Sequence, residues 1–382
     1  MKKDITQHHI LFDIDSSSIG VVVFEVSQNE KTKQKKHNII FSTRNTIEVG
    51  TNVDAGFFLE KTLSVFHKTA TQAHKESGNI IADIFINVSA PWASSQKRII
   101  HFEKNKEFIF TQKIADTMIR DEIKEVLHRT IDFKNYKNLE MIERKTIDFY
   151  QNGYPTKKPF GKKIQDVDIH SLVSVMSTEV KEQFIHVIER VFHVDEVEFI
   201  SNIFMSYRSL LSLYPHENNL VHFDMSAKIT EILVIVNDHL YRIGTIPVGS
   251  DYIVGTLAEK LNIPFVKAES LIVMYQQNAL DNKYRNTIEH VMEKTFMSWF
   301  KHFYNFLDEV SAEEITPSTL SILAPDFMQG WLTEWILKTG DITEHIHAHK
   351  KISLLNIKQT LSQDIADDIN LSLCLEFLLS DY

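Results

Sequence analysis

Two stretches far apart in the chain carry the same pattern, and that repetition limits the chain to folds built from two similar halves. The first, Ile10 to Val26, reads ILFDIDSSSIGVVVFEV, and the second, Leu220 to Asn237, reads LVHFDMSAKITEILVIVN. Each opens with a short apolar run that reaches Phe-Asp, at Phe12-Asp13 and at Phe223-Asp224. A few small or polar residues follow, then a second apolar run rich in Val and Ile. Continuous apolar runs bounded by turn residues are the pattern of buried strands, so each stretch reads as a hairpin with a carboxylate near the end of its first strand. A further strand follows both times, at Ile39 to Thr46 and at Leu240 to Ile246. Both trails end in Val-Gly, at Val49-Gly50 and Val248-Gly249. Two copies predict two lobes facing each other, since a solenoid needs more repeats.

The remaining segments fill this frame. Ala55 to Ser77 has helical spacing at Phe58, Leu59, Leu63, Phe66 and Ala70, and Ile80 to Ser89 is another buried strand. From Ser94 the character changes. Arg98 to Phe110 alternates like a hairpin around Lys104-Asn105, and Thr111 to Leu127 has an amphipathic helical pattern. Strands at Met141 to Tyr150 and Val167 to Met176 flank the turn-rich QNGYPTKKPFGKK. This predicts a small α+β insert over residues 94–176, set in a first lobe made of residues 1–93 and 177–217. A helix at Ser177 to Phe192, a strand at Val197 to Ile200 and a helix at Ser206 to Tyr214 complete that lobe. Pro215 to Asn219 then links it to a second lobe, residues 218–382. Helices are expected there at Ser250 to Leu261, from Pro264, at Thr287 to Val310 and at Met328 to Leu337, with a strand at Ser321 to Ala324. Phe296, Trp299, Phe300, Phe303 and Phe306 recur at core spacing and read as packing.

Composition narrows the function classes. The 382 residues exceed one ordinary core, and the formal charge of −10 argues against a nucleic-acid footprint, which needs a basic face. One cysteine, Cys374, leaves no internal disulfide framework and suits a reducing compartment. No run approaches the roughly 20 apolar residues of a membrane span. The N-terminal MKKDITQHH leads into the first strand without an apolar signal core, so a cytoplasmic protein is expected. Glycine is scarce, 11 in the whole chain against a usual ~7%, which matters because phosphate-binding turns depend on it.

The two hairpins, the insert and the element order resemble the actin-like ATPases, and within them the FtsA-type cell-division proteins, with the PilM-type pilus-assembly relatives second. The likeness is most specific at Ile142 to Met176, IERKTIDFYQNGYPTKKPFGKKIQDVDIHSLVSVM. That stretch is similar to the FtsA family's inserted subdomain. Ile246 to Leu271, IPVGSDYIVGTLAEKLNIPFVKAESL, looks like the segment after the second phosphate turn. The resemblance implies a two-lobed actin-like (ribonuclease-H-like) α/β fold with a small FtsA-style insert. It also implies an ATP/Mg cofactor, filament-forming self-association, and division or envelope-assembly partners. One such partner is the tail of a tubulin-like division protein docking on the helices after Gly249.

Family glycines are replaced at three places. The first phosphate turn, Asp-x-Gly-Thr/Ser-Ser in the family, is here Asp13-Ile14-Asp15-Ser16-Ser17-Ser18. The second, Asp-x-Gly-Gly/Ala-x-x-Thr, is Asp224-Met225-Ser226-Ala227-Lys228-Ile229-Thr230, and the adenine-side Gly-Gly is Pro325-Asp326. A phosphate cradle needs backbone amides to come right up to the anion, which glycine permits. A carboxylate ~4 Å from a phosphate costs on the order of 4 kcal/mol at an effective dielectric near 20, about a thousandfold in affinity. The expectation is therefore a scaffold with a degenerate nucleotide site and little or no hydrolysis. The alternatives are a Mg-ATP-dependent polymerising ATPase, with Asp15 as an added metal ligand, or a PilM-like pilus assembly module. Asp13 and Asp224 keep positions that the resemblance assigns to magnesium, or they cap turns. Lys228 pairs with Asp15 or Asp13 across the cleft, binds a phosphate, or is solvated at its turn tip. His345, His347 and His349 share a face if extended, a weak metal pattern. The C-terminal LSLCLEFLLSDY lacks the basic residues of a membrane anchor. Leu371, Leu373, Leu375 and Phe377 are therefore expected to be buried against the protein or a partner.

Overall fold

The computed structural model describes residues 8–28, 35–49, 53–78, 81–129, 138–311, 317–338, 352–361, 365 and 368–381. The first hairpin forms β1 (His8–Ile14) and β2 (Ser18–Gln28), joined by β3 (Lys35–Thr46), β4 (Ile81–Val88) and β9 (Glu198–Ser201) in the order β3-β2-β1-β4-β9. The second hairpin forms β10 (Leu220–Met225) and β11 (Thr230–Val236). With β12 (His239–Ile246), β13 (Thr319–Leu323) and β14 (Ser353–Leu355) it makes a sheet of order β12-β11-β10-β13-β14. Both sheets pair their first three strands antiparallel and the rest parallel. The sequence repeat is thus a repeat of sheets. Asp13 lies opposite Gly20 and Asp224 opposite Glu231, at equivalent places in the two hairpins.

The strands are apolar on both faces because both faces are covered. α1 (Ala55–Ser77) and α3 (Thr178–Phe192) pack outside the first sheet, on Phe12, Val21, Val23 and Ile86. The opposite residues, Leu11, Val22 and Phe24, face inward and share one core with Leu233, Ile235 and Leu240 of the second sheet. α4 (Asn202–Leu213) and α9 (Ile369–Asp381) fill that middle layer. Leu371, Leu373, Leu375 and Phe377 are buried there as expected, with Phe377 edge-on to Phe204 of α4 at 5.5 Å. Outside the second sheet lie α5 (Ser250–Leu261), α6 (Phe265–Gln276), α7 (Asn282–Ser311) and α8 (Asp326–Lys338). Phe296, Trp299, Phe300 and Phe303 of α7 are fully buried in this layer, as their spacing predicts, and Phe306 packs at its margin.

The insert is a sheet of order β5-β8-β6-β7 with α2 (Gln112–Arg129) alongside: β5 (Ala93–Ile109), β6 (Leu139–Gln151), β7 (Tyr154–Pro155) and β8 (Lys163–Ser177). The expected hairpin at Arg98 to Phe110 is instead one strand. Its pairing with β8 jumps from Glu103↔Asp166 to Phe108↔Ile164, so residues 104–107 bulge outward. Lys104 Nζ lies over the rings of Phe102 and Phe108, at 5.4 and 5.1 Å, and holds the bulge closed. Helix α4 begins earlier than its periodicity suggested because Ser201 caps it, accepting from Phe204 N at 3.3 Å. Asn152 and Gly153, at φ 49° and 78°, make the turn between β6 and β7, the geometry Asn and Gly tolerate best.

Candidate functional site

The hairpin turns of the two sheets meet at one end of the molecule, over a cleft of about 1120 Å³. Ser16, Ser17 and Ser18 line it from the first lobe, and Ala227, Pro325 and Asp326 from the second. Ser16 Oγ touches Ser226 Oγ at 2.9 Å and accepts from Lys228 N at 3.2 Å, so the turns are directly bonded.

Asp15 is buried, with 7% of its surface exposed, and folds back on its own turn. Its carboxylate accepts from Ser16 N and from Ser17 Oγ, the latter at 2.7 Å. Burial pushes the Asp15 carboxyl above its ordinary range, the nearby Asp13 adds to that, and the Ser17 hydroxyl opposes it. Asp13 is more deeply buried still. One oxygen accepts from Asn87 Nδ2 at 2.8 Å and the other from Arg44 at 2.6 Å. Arg44 also grips Asp368 through two nitrogens, at 2.8 and 3.1 Å. Burial alone would lower the guanidinium, but Asp13 and Asp368 outweigh it and hold Arg44 above its ordinary range. The space for Arg44 comes from Gly20, where an added Cβ would stand 2.6 Å from the guanidinium.

A line of amides carries this arrangement into the second lobe. Asn87 Nδ2 also approaches Asn202 Oδ1 at 3.4 Å. Asn202, the first residue of α4, donates to Asp224 Oδ2 at 2.8 Å and Glu231 Oε2 at 3.0 Å. Burial, then the neighbouring charge of Asp15, raises Asp224 well above the usual carboxylate range. Burial also pushes Glu231 up to about 7, against the stabilising amide of Asn202.

The second turn is used structurally. Its Ser226 and Ala227 carbonyls accept from Ser250 N and Asp251 N, at 3.0 and 2.9 Å, and so cap α5. Gly249 makes that approach possible, because a Cβ there would meet both carbonyl oxygens at 2.4 Å. Thr230 Oγ1 donates to Val248 O at 2.8 Å and accepts from Trp299 Nε1 at 3.1 Å, a core contact. The Pro325 carbonyl accepts from Met328 N and Gln329 N at the start of α8. Of the readings open for Lys228, the pair with Asp15 or Asp13 does not form. Lys228 Nζ lies 2.8 Å from Asp251 Oδ2 and 5.8 Å from the Phe58 ring centroid, because Arg44 already neutralises Asp13 and Asp251 is nearer. His345, His347 and His349 fall outside the described residues.

Sequence reading missed Arg44, Asn87, Asn202 and Asp368. One signal was there: Gly20 interrupts an otherwise apolar strand, and a glycine in a strand marks close approach of another group.

No protein-family model matches the chain, and no curated protein sequence does. Among solved structures, it matches one described as a PilM-PilN type IV pilus biogenesis complex at 13% identity and a TM-score of 0.63, over 98% of this chain and 99% of that one. A diol dehydratase-reactivating factor in nucleotide-free form matches at 8% identity and a TM-score of 0.49, over 98% and 99%. A protein of actin-like ATPase fold from Bacteroides thetaiotaomicron matches at 9% identity and a TM-score of 0.43, over 99% and 97%. The paired sheets, their shared strand order and the likeness at a TM-score of 0.63 together make the fold the two-lobed actin-like one.

Proposed function

We propose that this chain is a cytoplasmic actin-like scaffold of the FtsA–PilM kind, which docks partners in envelope or division machinery without hydrolysing ATP. The observation that carries the reading is internal saturation of the two turns. The Ser16 and Lys228 amides that a phosphate would seek are taken by Asp15 and by Ser16 Oγ, and the α5 amides by Ser226 and Ala227. Asp13, the carboxylate the resemblance assigns to magnesium, spends one oxygen on Arg44 and one on Asn87. Seating a triphosphate would break several of these bonds and set its charge beside Asp15. The residues present do not fit Mg-ATP.

Partner docking is then the task left to the fold. The full-length likeness to the PilM–PilN complex, itself an assembly of pilus-biogenesis proteins, supports it. The Ile142 to Met176 passage supports the division-scaffold version, with a tubulin-like protein's tail as partner. Among the described residues no helix is long and apolar enough to cross a membrane, so membrane contact in this reading goes through a partner. Sedimentation and phosphate release with and without Mg-ATP test the proposal. The expected result is unchanged sedimentation and background phosphate; nucleotide-dependent pelleting with phosphate release would restore the polymerising ATPase.

A further inference from the structure

The cleft remains a space of about 1120 Å³, and the charge left unpaired in it is acidic. Asp13, Asp368 and Asp251 are answered from within the chain by Arg44 and Lys228. Among the described residues, Asp15, Glu48, Asp224, Glu269 and Asp326 line the same space with no ion-pair partner, and Arg44 is the one basic side chain lining it. Burial, and then the neighbouring Asp251, raises Glu269, so a cation entering here would relieve a cost already present. The second-lobe wall is apolar at Phe265, Val266 and Phe327, and Val266 is 70% exposed. Lys228 already shows how an ammonium sits at this rim: one carboxylate at 2.8 Å and an aromatic face at 5.8 Å.

We infer that the cleft receives a lysine- or arginine-bearing peptide segment of a partner protein. The cationic heads meet Glu269, Asp326 and Asp224, and the apolar stems lie along Phe265, Val266 and Phe327. Lysine and arginine suit such a surface because each carries a charge on a hydrocarbon stem. The volume is at or above the ~300–1,000 Å³ of ordinary small-ligand sites, which favours several linked residues over a single small cation. The inference deepens the proposed scaffold role, and rests on it, by naming the chemistry of the partner.

Calorimetric titration of the full chain tests it, with a capped Lys-Leu-Lys-Phe-Lys peptide, its Glu-for-Lys counterpart, spermidine and Mg-ATP as probes. The Lys peptide is expected to bind and to weaken as salt rises from ~50 to ~300 mM, where screening shortens. The Glu peptide should give no heat. A Glu269→Gln/Asp326→Asn double variant, changed only at carboxylates outside the core, should bind the Lys peptide about tenfold more weakly. Silence of the Lys peptide, unchanged affinity in the double variant, or spermidine binding as tightly as the peptide would each overturn the inference. Binding of Mg-ATP would instead overturn the scaffold reading, so the two failures are distinguishable.

Discussion

Arg44 is the residue on which the cleft's charge balance turns. Removing it leaves Asp13 buried and without a counter-charge, so Arg44→Ala should cost about 3 kcal/mol in urea unfolding. An Arg44→Ala/Asp13→Asn double variant should lose less than the single one, because no stranded charge remains. Equal losses would mean that Arg44 matters only as packing. Glu231 supplies a pH test. Burial raises it from 4.5 to about 7, so the folded chain holds a proton there that the unfolded chain releases. Its contribution is therefore fully present below pH ~4.5 and is lost as pH rises through ~7. Wild-type stability minus that of Glu231→Gln should accordingly fall across that window; a flat difference would refute the assignment. The hairpin repeat made it legible that Asp13, Asp15 and Asp224 stand at equivalent turns of the two sheets. Arg44 and Asp368 were not legible, because strand pairing and a chain-distant helix bring them in and no local spacing encodes that.

At the scale of elements, glycine is retained where backbone crowds backbone. Gly249→Ala should destabilise by about 3 kcal/mol or more, since two carbonyl oxygens stand where the methyl would go and neither is the end of a flexible side chain. Thermal unfolding would show it, and a neutral result would mean that the turn and α5 separate easily. Phe377→Ala, in the closing helix, should cost about 3–5 kcal/mol through the cavity left against α4. Elements with strong periodicity were readable from sequence: α1 runs where its apolar spacing placed it, α5 spans the expected Ser250 to Leu261, and α6 starts just after Pro264. β5 was misread because Lys104-Asn105 carries turn chemistry, whereas pairing with β8 on both sides keeps the strand continuous.

At the scale of the whole molecule, two matching sheets are bonded across a cleft, with the sheet of the insert as a third. The polar line from Arg44 through Asp13, Asn87 and Asn202 to Asp224 and Glu231 ties the lobes, together with the Ser16–Ser226 contact. The duplicated architecture was visible in the repeated Phe-Asp hairpins. The packing of α9 between the lobes was visible only as a buried apolar tail with no stated partner. Calorimetric titration of the wild-type chain with ATP and Mg²⁺ tests the central claim most directly. The account predicts no binding heat up to millimolar nucleotide, with or without the metal. Magnesium-dependent binding at micromolar concentration would contradict it, and would mean that the turns rearrange to release their amides.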